Sequence, residues 1–192
     1  MVLFRLLISL PKESGVYDLI LRNGTVIDGR KTPRYQADVG IVADRIEEVS
    51  DLSAVEAQQI IDVSGKIVAP GFVDVHNHSD SWLLTIPHLV PKTIQGFTTE
   101  VLMADGISYA PVNPKTVHDW IYYLRPLNGL RSDEYEGWQT IADYMHRLDG
   151  RTAQNVTTHV PYANVRALAS GFGSQRPDDY QMRQIRALIQ QG

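Results

Sequence analysis

An apolar, β-branched run from Ile67 to Val75 ends in two histidines two residues apart, His76 and His78. The run is broken by Pro70-Gly71 and reads as a buried strand. Side chains at i and i+2 of a strand point to the same side. Two imidazoles therefore project together from one strand end, which suits two nitrogen ligands closing on one metal ion. A His-x-His in a surface turn needs no apolar strand leading into it, whereas here such a strand delivers the pair to its polar end, followed by Asp80. In barrel enzymes the C-terminal strand end is where chemistry is assembled.

Around this stretch the chain changes rhythm. Residues 17–65 read as short strands: Tyr17–Arg22, a two-residue hairpin turn at Asn23-Gly24, a return strand Thr25–Asp28, a second hairpin of 37–42 with 45–49 around Ala43-Asp44, and Ile60–Val63. Strands this short cannot bury both faces alone, so residues 17–66 are expected to be part of a small β-sandwich. From Ile67 onward strands alternate with helices, implying a parallel sheet or barrel. Helix candidates are 87–95, 115–124 (broken by Pro126 and Gly129), the run containing Trp138, Ile141, Met145 and Leu148, and 178–190 with Asp178 or Asp179 as N-cap. Further strands are Phe97–Met103 and Asn155–Val160. The expected fold class is α/β: an incomplete (β/α)8 TIM-like barrel over 67–192, with about three of its strands, preceded by part of the small β-sandwich.

Composition narrows the function. The net charge of −4 argues against a nucleic-acid partner, and the absence of cysteine excludes disulfides and thiolate metal ligands. That absence fits a cytoplasmic location. Met1–Leu10 is apolar apart from Arg5 and Ser9, but it lacks the three-part layout of a signal peptide and is too short to span a bilayer, so no membrane partner is expected. Residues 1–16 are expected to be a poorly ordered extension.

Ala69-Pro-Gly-Phe-Val-Asp-Val-His-Asn-His78 resembles the first-strand signature of the amidohydrolase superfamily, metal-dependent hydrolases built on a distorted TIM barrel. Tyr17-Asp-Leu-Ile-Leu-Arg-Asn-Gly-Thr-Val-Ile-Asp28 is similar to the opening strands of that family's small β domain. Gln95-Gly-Phe-Thr-Thr-Glu-Val101 with Asp105-Gly-Ile-Ser-Tyr-Ala-Pro111 resembles the second barrel strand of the N-acyl-D-amino-acid deacylases. The resemblance implies Zn2+ as cofactor, one or two divalent ions, with Mn or Fe admissible. It implies His76 and His78 as ligands. The deacylases usually carry a metal-binding Cys where Asp105 stands; a carboxylate can also ligate zinc, so Asp105 is the expected third ligand, and the alternative of a lost metal position stays open. Asp74 and Asp80 are candidates for orienting the imidazoles, with a structural role for Asp74 and a solvated loop carboxylate for Asp80 as the plainer readings. Glu100 is either a supporting group or half of an ion pair at the sheet end. His88, His118 and His146 read as surface, and His159 as structural.

The implied reaction is attack by metal-bound hydroxide on the amide of a small-molecule N-acyl-D-amino acid, a non-peptide C–N bond. The resemblance implies a general-base Asp, expected beyond Gly192, and an N-terminal portion of a longer enzyme, so the isolated chain is expected to be inactive. Its open barrel edges are expected to favour self-association. The rival readings are a cyclic-amide hydrolase of the dihydropyrimidinase or dihydroorotase type, and a non-catalytic truncated protein.

Overall fold

The computed structural model describes residues 17–192, and the expectation for residues 1–16 lies outside them. The chain divides between Gly71 and Phe72 into two compact units.

The first unit is one mixed sheet of five strands: β1 (Tyr17–Val26), β2 (Tyr35–Val42), β3 (Arg45–Ser50), β4 (Ala57–Asp62) and β5 (Ile67–Val68). Its order is β3-β2-β1-β4, with β5 also pairing β1 beyond the end of β4. β1–β2 and β2–β3 are antiparallel, while β4 and β5 run parallel to β1. Ile20, Gly24 and Val26 of β1 are buried, as are Val39, Leu52 and Val63 in the rest of this unit. The hairpin around Ala43-Asp44 forms as expected, with Ala43 in the left-handed region. Asn23-Gly24 does not turn the chain. β1 runs through it with an irregularity in register, because Asn23 adopts positive φ and its N–H donates to buried Asp38 at 2.7 Å. Asp38 also accepts from Leu52 N–H at 2.9 Å, so a carboxylate ties the irregular residue to the next loop.

The second unit is a parallel sheet in sequence order, β6 (Phe72–Asp74), β7 (Phe97–Leu102) and β8 (Asn155–Thr158). The strand expected over Ile67–Val75 is therefore two strands in two sheets. Pro70-Gly71 interrupts the ladder between them. Nor is β6 buried: Phe72 and Val73 are exposed, as is Val75 just after it, with β7 as the one neighbour of β6 among the described residues.

The crossover from β6 to β7 carries α1 (Asp80–Thr85) and α2 (Val90–Thr93). That from β7 to β8 carries α3 (Val117–Asn128) and α4 (Ile141–Leu148), and α5 (Tyr162–Ser170) and α6 (Asp179–Gln191) follow β8. In α3 the residues Val117, Trp120, Ile121 and Leu124 recur at helical spacing and are buried, whereas Tyr122 and Tyr123 face out. The helix runs through Pro126 rather than stopping there and ends at Gly129, whose left-handed conformation closes it. Thr140 caps α4 reciprocally with Asp143, and Asp178 caps α6 with Gln181. The core of this unit packs Leu83 of α1, the buried faces of α3 and α4, and Leu102, Met103 and Tyr109 from the end of β7 onward. It anchors the segment after β7, on which a site residue sits.

Candidate metal centre

Parallel neighbours bring their C-terminal ends to one edge of the sheet. β6 ends at Asp74 and β7 at Leu102, so the segments that leave them start side by side. His76 and His78 stand on the first segment and Asp105 on the second. His76 Nε2 lies 3.2 Å from Asp105 Oδ1 and 3.3 Å from Oδ2, and His78 Nε2 lies 3.1 Å from Oδ2. One ligand atom from each of the three falls within 4.8 Å of the others. Side-chain exposures of 65% for His76, 53% for Asp105 and 23% for His78 make this a mouth open to solvent, with His78 as its inner wall.

Asp105 reaches the imidazoles through a tight turn, Ala104–Gly106, in which Met103, Asp105 and Gly106 all have positive φ. Glycine adopts that region freely, whereas Met103 and Asp105 each store about 1–3 kcal/mol there. The surroundings hold the strain. Met103 is fully buried, and its N–H donates to Asp80 Oδ1 at 3.2 Å. Ser108 Oγ donates to the same oxygen at 2.5 Å, and Tyr144 Oη donates to the Asp80 carbonyl at 2.6 Å. Asp80 is thus a buried anchor beneath the site rather than a solvated loop carboxylate. Burial pushes its pKa up, against the hydrogen bonds from Ser108 and Met103 and the attraction of His78.

The histidine segment is fixed from the other side. Asp74 Oδ1 accepts from the His76 N–H at 3.2 Å. Asn77 Nδ2 donates to the carbonyls of Asp74 and Val101, each at 3.2 Å, stitching the ends of β6 and β7 together. Lys92 of α2 donates to Asp74 Oδ2 at 2.7 Å and to Glu100 Oε2 at 2.6 Å. Glu100 is thus half of a sheet-end ion pair, and it is fully buried. Burial raises its pKa, opposed by the hydrogen bond and charge of Lys92. Burial acts the same way on Asp74, but bonding from Lys92 and the His76 N–H prevails and holds it below the ordinary aspartate value. Lys92 escaped the sequence reading: nothing in Val-Pro-Lys-Thr marks a lysine that will bridge two carboxylates, 18 positions before and 8 positions after it. His88, His118, His146 and His159 are exposed and lie outside the cluster.

The residues fit a divalent ion. Ligand atoms about 2.0–2.1 Å from a tetrahedral ion lie about 3.3–3.4 Å from one another, close to the spacings between Asp105 and the two imidazoles. Two neutral imidazoles and one carboxylate form a nitrogen–oxygen donor set suited to zinc, and harder than one containing sulfur.

A His-x-His pair and a carboxylate thus converge at adjacent strand ends of a parallel βα unit, as three groups that could hold a metal ion. The chain belongs to the amidohydrolase family, whose profile matches residues 59–191. N-acyl-D-glutamate deacylase of Alcaligenes xylosoxydans xylosoxydans is 49% identical over 173 residues, 90% of this chain and 34% of that protein. D-aminoacylase of the same organism is 36% identical over 183 residues, 93% of this chain and 36% of the relative. The solved N-acyl-D-glutamate deacylase of Bordetella bronchiseptica, complexed with zinc and a phosphonate mimic of the tetrahedral intermediate, superposes with a TM-score of 0.76 at 30% identity. That match covers 92% of this chain and 36% of the other. A solved D-aminoacylase, studied for its binuclear metal centre, gives 0.75 at 37% identity over 90% of this chain and 35% of that one. The chain therefore spans about a third of the length of the relatives it matches. No helix among the described residues is long and apolar enough to cross a membrane.

Proposed function

We propose that this chain supplies part of the metal site of an enzyme that hydrolyses the amide bond of N-acyl-D-amino acids. The observation that carries the reading is the convergence of His76 Nε2, His78 Nε2 and the Asp105 carboxylate at the ends of two adjacent parallel strands. His76 and His78 would hold a divalent ion through Nε2, and Asp105 would offset part of its charge. When bound, such an ion polarises a carbonyl and lowers the pKa of water to about 7. The residues of this chain keep three donors in place. Asp74 fixes the His76 backbone, Asp80 anchors the turn that presents Asp105, and the open mouth leaves room for a small acyl substrate. Zinc is the proposed ion, with Mn or Fe admitted by the oxygen donor. The 49% identity to an N-acyl-D-glutamate deacylase supports a linear N-acyl substrate.

Completion of the parallel sheet into a barrel, of the first sheet into a sandwich, and the supply of a general base are parts of the same proposal for the intact protein. The test is an assay of the intact protein on N-acetyl-D-glutamate, N-acetyl-D-aspartate and N-acetyl-D-leucine beside hydantoins and dihydropyrimidines. Release of acetate from the D-amino acids is expected. Turnover of the cyclic amides alone would refute the proposal. The 192-residue chain by itself is expected to be inactive.

A further inference from the structure

We propose that Lys92 is the positioning residue for the histidine pair, an inference that rests on reading His76, His78 and Asp105 as metal ligands. Its ammonium joins two carboxylates with different duties. Asp74, held at 2.7 Å, uses its other oxygen to accept the His76 N–H at 3.2 Å. Glu100, held at 2.6 Å, also accepts from Ser79 Oγ at 3.4 Å. Between these, Asn77 binds the carbonyls of Asp74 and Val101 and accepts the Ser79 N–H at 3.0 Å. Four of the six residues from Asp74 to Ser79 are thereby tied to Lys92 directly or through one partner. From Val75 to Ser79 the backbone is irregular, so this stretch has no ladder of its own to hold it.

The chemistry requires a cation at this point. Asp74 and Glu100 are paired across β6 and β7 at the sheet end, and both carboxylates reach the one ammonium. Without an intervening ammonium the two carboxylates would repel, and Asp74 would swing away from the His76 N–H. Lys92 comes from α2, a single turn whose preceding residue, Leu89, takes a left-handed conformation. Lys92 Nζ lies over the Phe97 ring, 5.9 Å from its centre. Lys92 bonds Asp74 and Glu100, and through Asp74 it acts on the backbone of His76.

The test compares Lys92→Met with Lys92→Met/Glu100→Gln, in which the second change removes the buried charge that the first would strand. Two readouts are taken on the intact protein. Amide hydrogen exchange without metal reads the His76 N–H directly; Co2+ titration against a competing chelator reads affinity and the visible absorption of the ion. In the folded double variant, faster exchange at His76 is expected, with exchange in β7 and β8 unchanged. Co2+ affinity is expected to fall about 10–100-fold, the usual consequence of losing a group that orients a ligand. Lys92→Arg, which keeps the charge, is expected to recover most of both. Unchanged His76 exchange in the double variant overturns the positioning role, whatever the metal result. Failure of the unaltered chain to bind Co2+ refutes the metal reading instead and leaves the exchange comparison to decide the role of Lys92.

Discussion

Removing the Lys92 ammonium should destabilise the second unit, and by an amount that grows with pH. In Lys92→Met the stem is conserved and the charge is lost. Glu100 has no exposed surface and Lys92 has 22%, so this is an ion pair largely withdrawn from water. Breaking a buried pair by removing one partner costs about 3–5 kcal/mol, and the remaining exposure of Lys92 places the expected loss near 3 kcal/mol at pH 8. The sign with pH follows from Glu100, whose pKa already lies above its ordinary 4.5 through burial. A carboxyl raised in the folded state binds more protons folded than unfolded, so stability falls as pH climbs from 4.5 through the raised value. Lys92 is the main force holding that value down, and its loss widens the window upward. Chemical denaturation of wild type and Lys92→Met at a series of pH values rising from about 5 to about 8 should show a difference that increases across the series. A difference that is constant with pH, or below about 1 kcal/mol as for exposed pairs, would refute the reading of a buried, charge-dependent clamp.

Other substitutions probe the frame around the site. Thr140→Ala removes the N-cap of α4 and should cost about 1 kcal/mol by denaturation. The Asp143 carboxylate of that capping box is held below its ordinary pKa by the Thr140 N–H, so its contribution should be present at neutral pH and fade as pH drops through the lowered value. Leu124→Ala hollows the core under α3 and should cost about 3 kcal/mol, seen as a lower denaturation midpoint at unchanged slope. Gly40→Ala would press a methyl to 2.5 Å from the Tyr17 ring, so the first unit should lose stability or shift that ring, detectable in its near-ultraviolet circular dichroism.

Much of the second unit was legible from periodicity. Phe97–Leu102 and Asn155–Thr158 are strands, and the helices ending the chain and carrying Ile141 and Leu148 form where apolar spacing and caps place them. Elements governed by tertiary context were not. α1 has six residues, too few to show a period, and α5 begins at Pro161 without a side-chain cap. Asn23-Gly24 carries the strongest two-residue turn signal in the chain, yet Asp38 captures the Asn23 N–H and the strand continues. Pro70-Gly71 reads as a break, but the sequence does not mark it as the point where the chain leaves one sheet for another, which depends on the strands each side pairs with. The histidine pair was legible because strand alternation is local. Asp105 needed the family resemblance to be singled out, since its approach depends on a left-handed turn that only its own surroundings stabilise.

The most direct test of the metal site is equilibration of the purified chain with Zn2+, removal of free ion, and measurement of bound zinc by mass spectrometry. The same measurement on His76→Ala/His78→Ala and on Asp105→Ala completes it. At least one ion per chain is expected in the unaltered protein, with none retained by the double histidine variant and weakened binding in Asp105→Ala. Equal zinc in the unaltered and double-histidine proteins, both folded, would contradict the central claim that these strand-end side chains hold the metal.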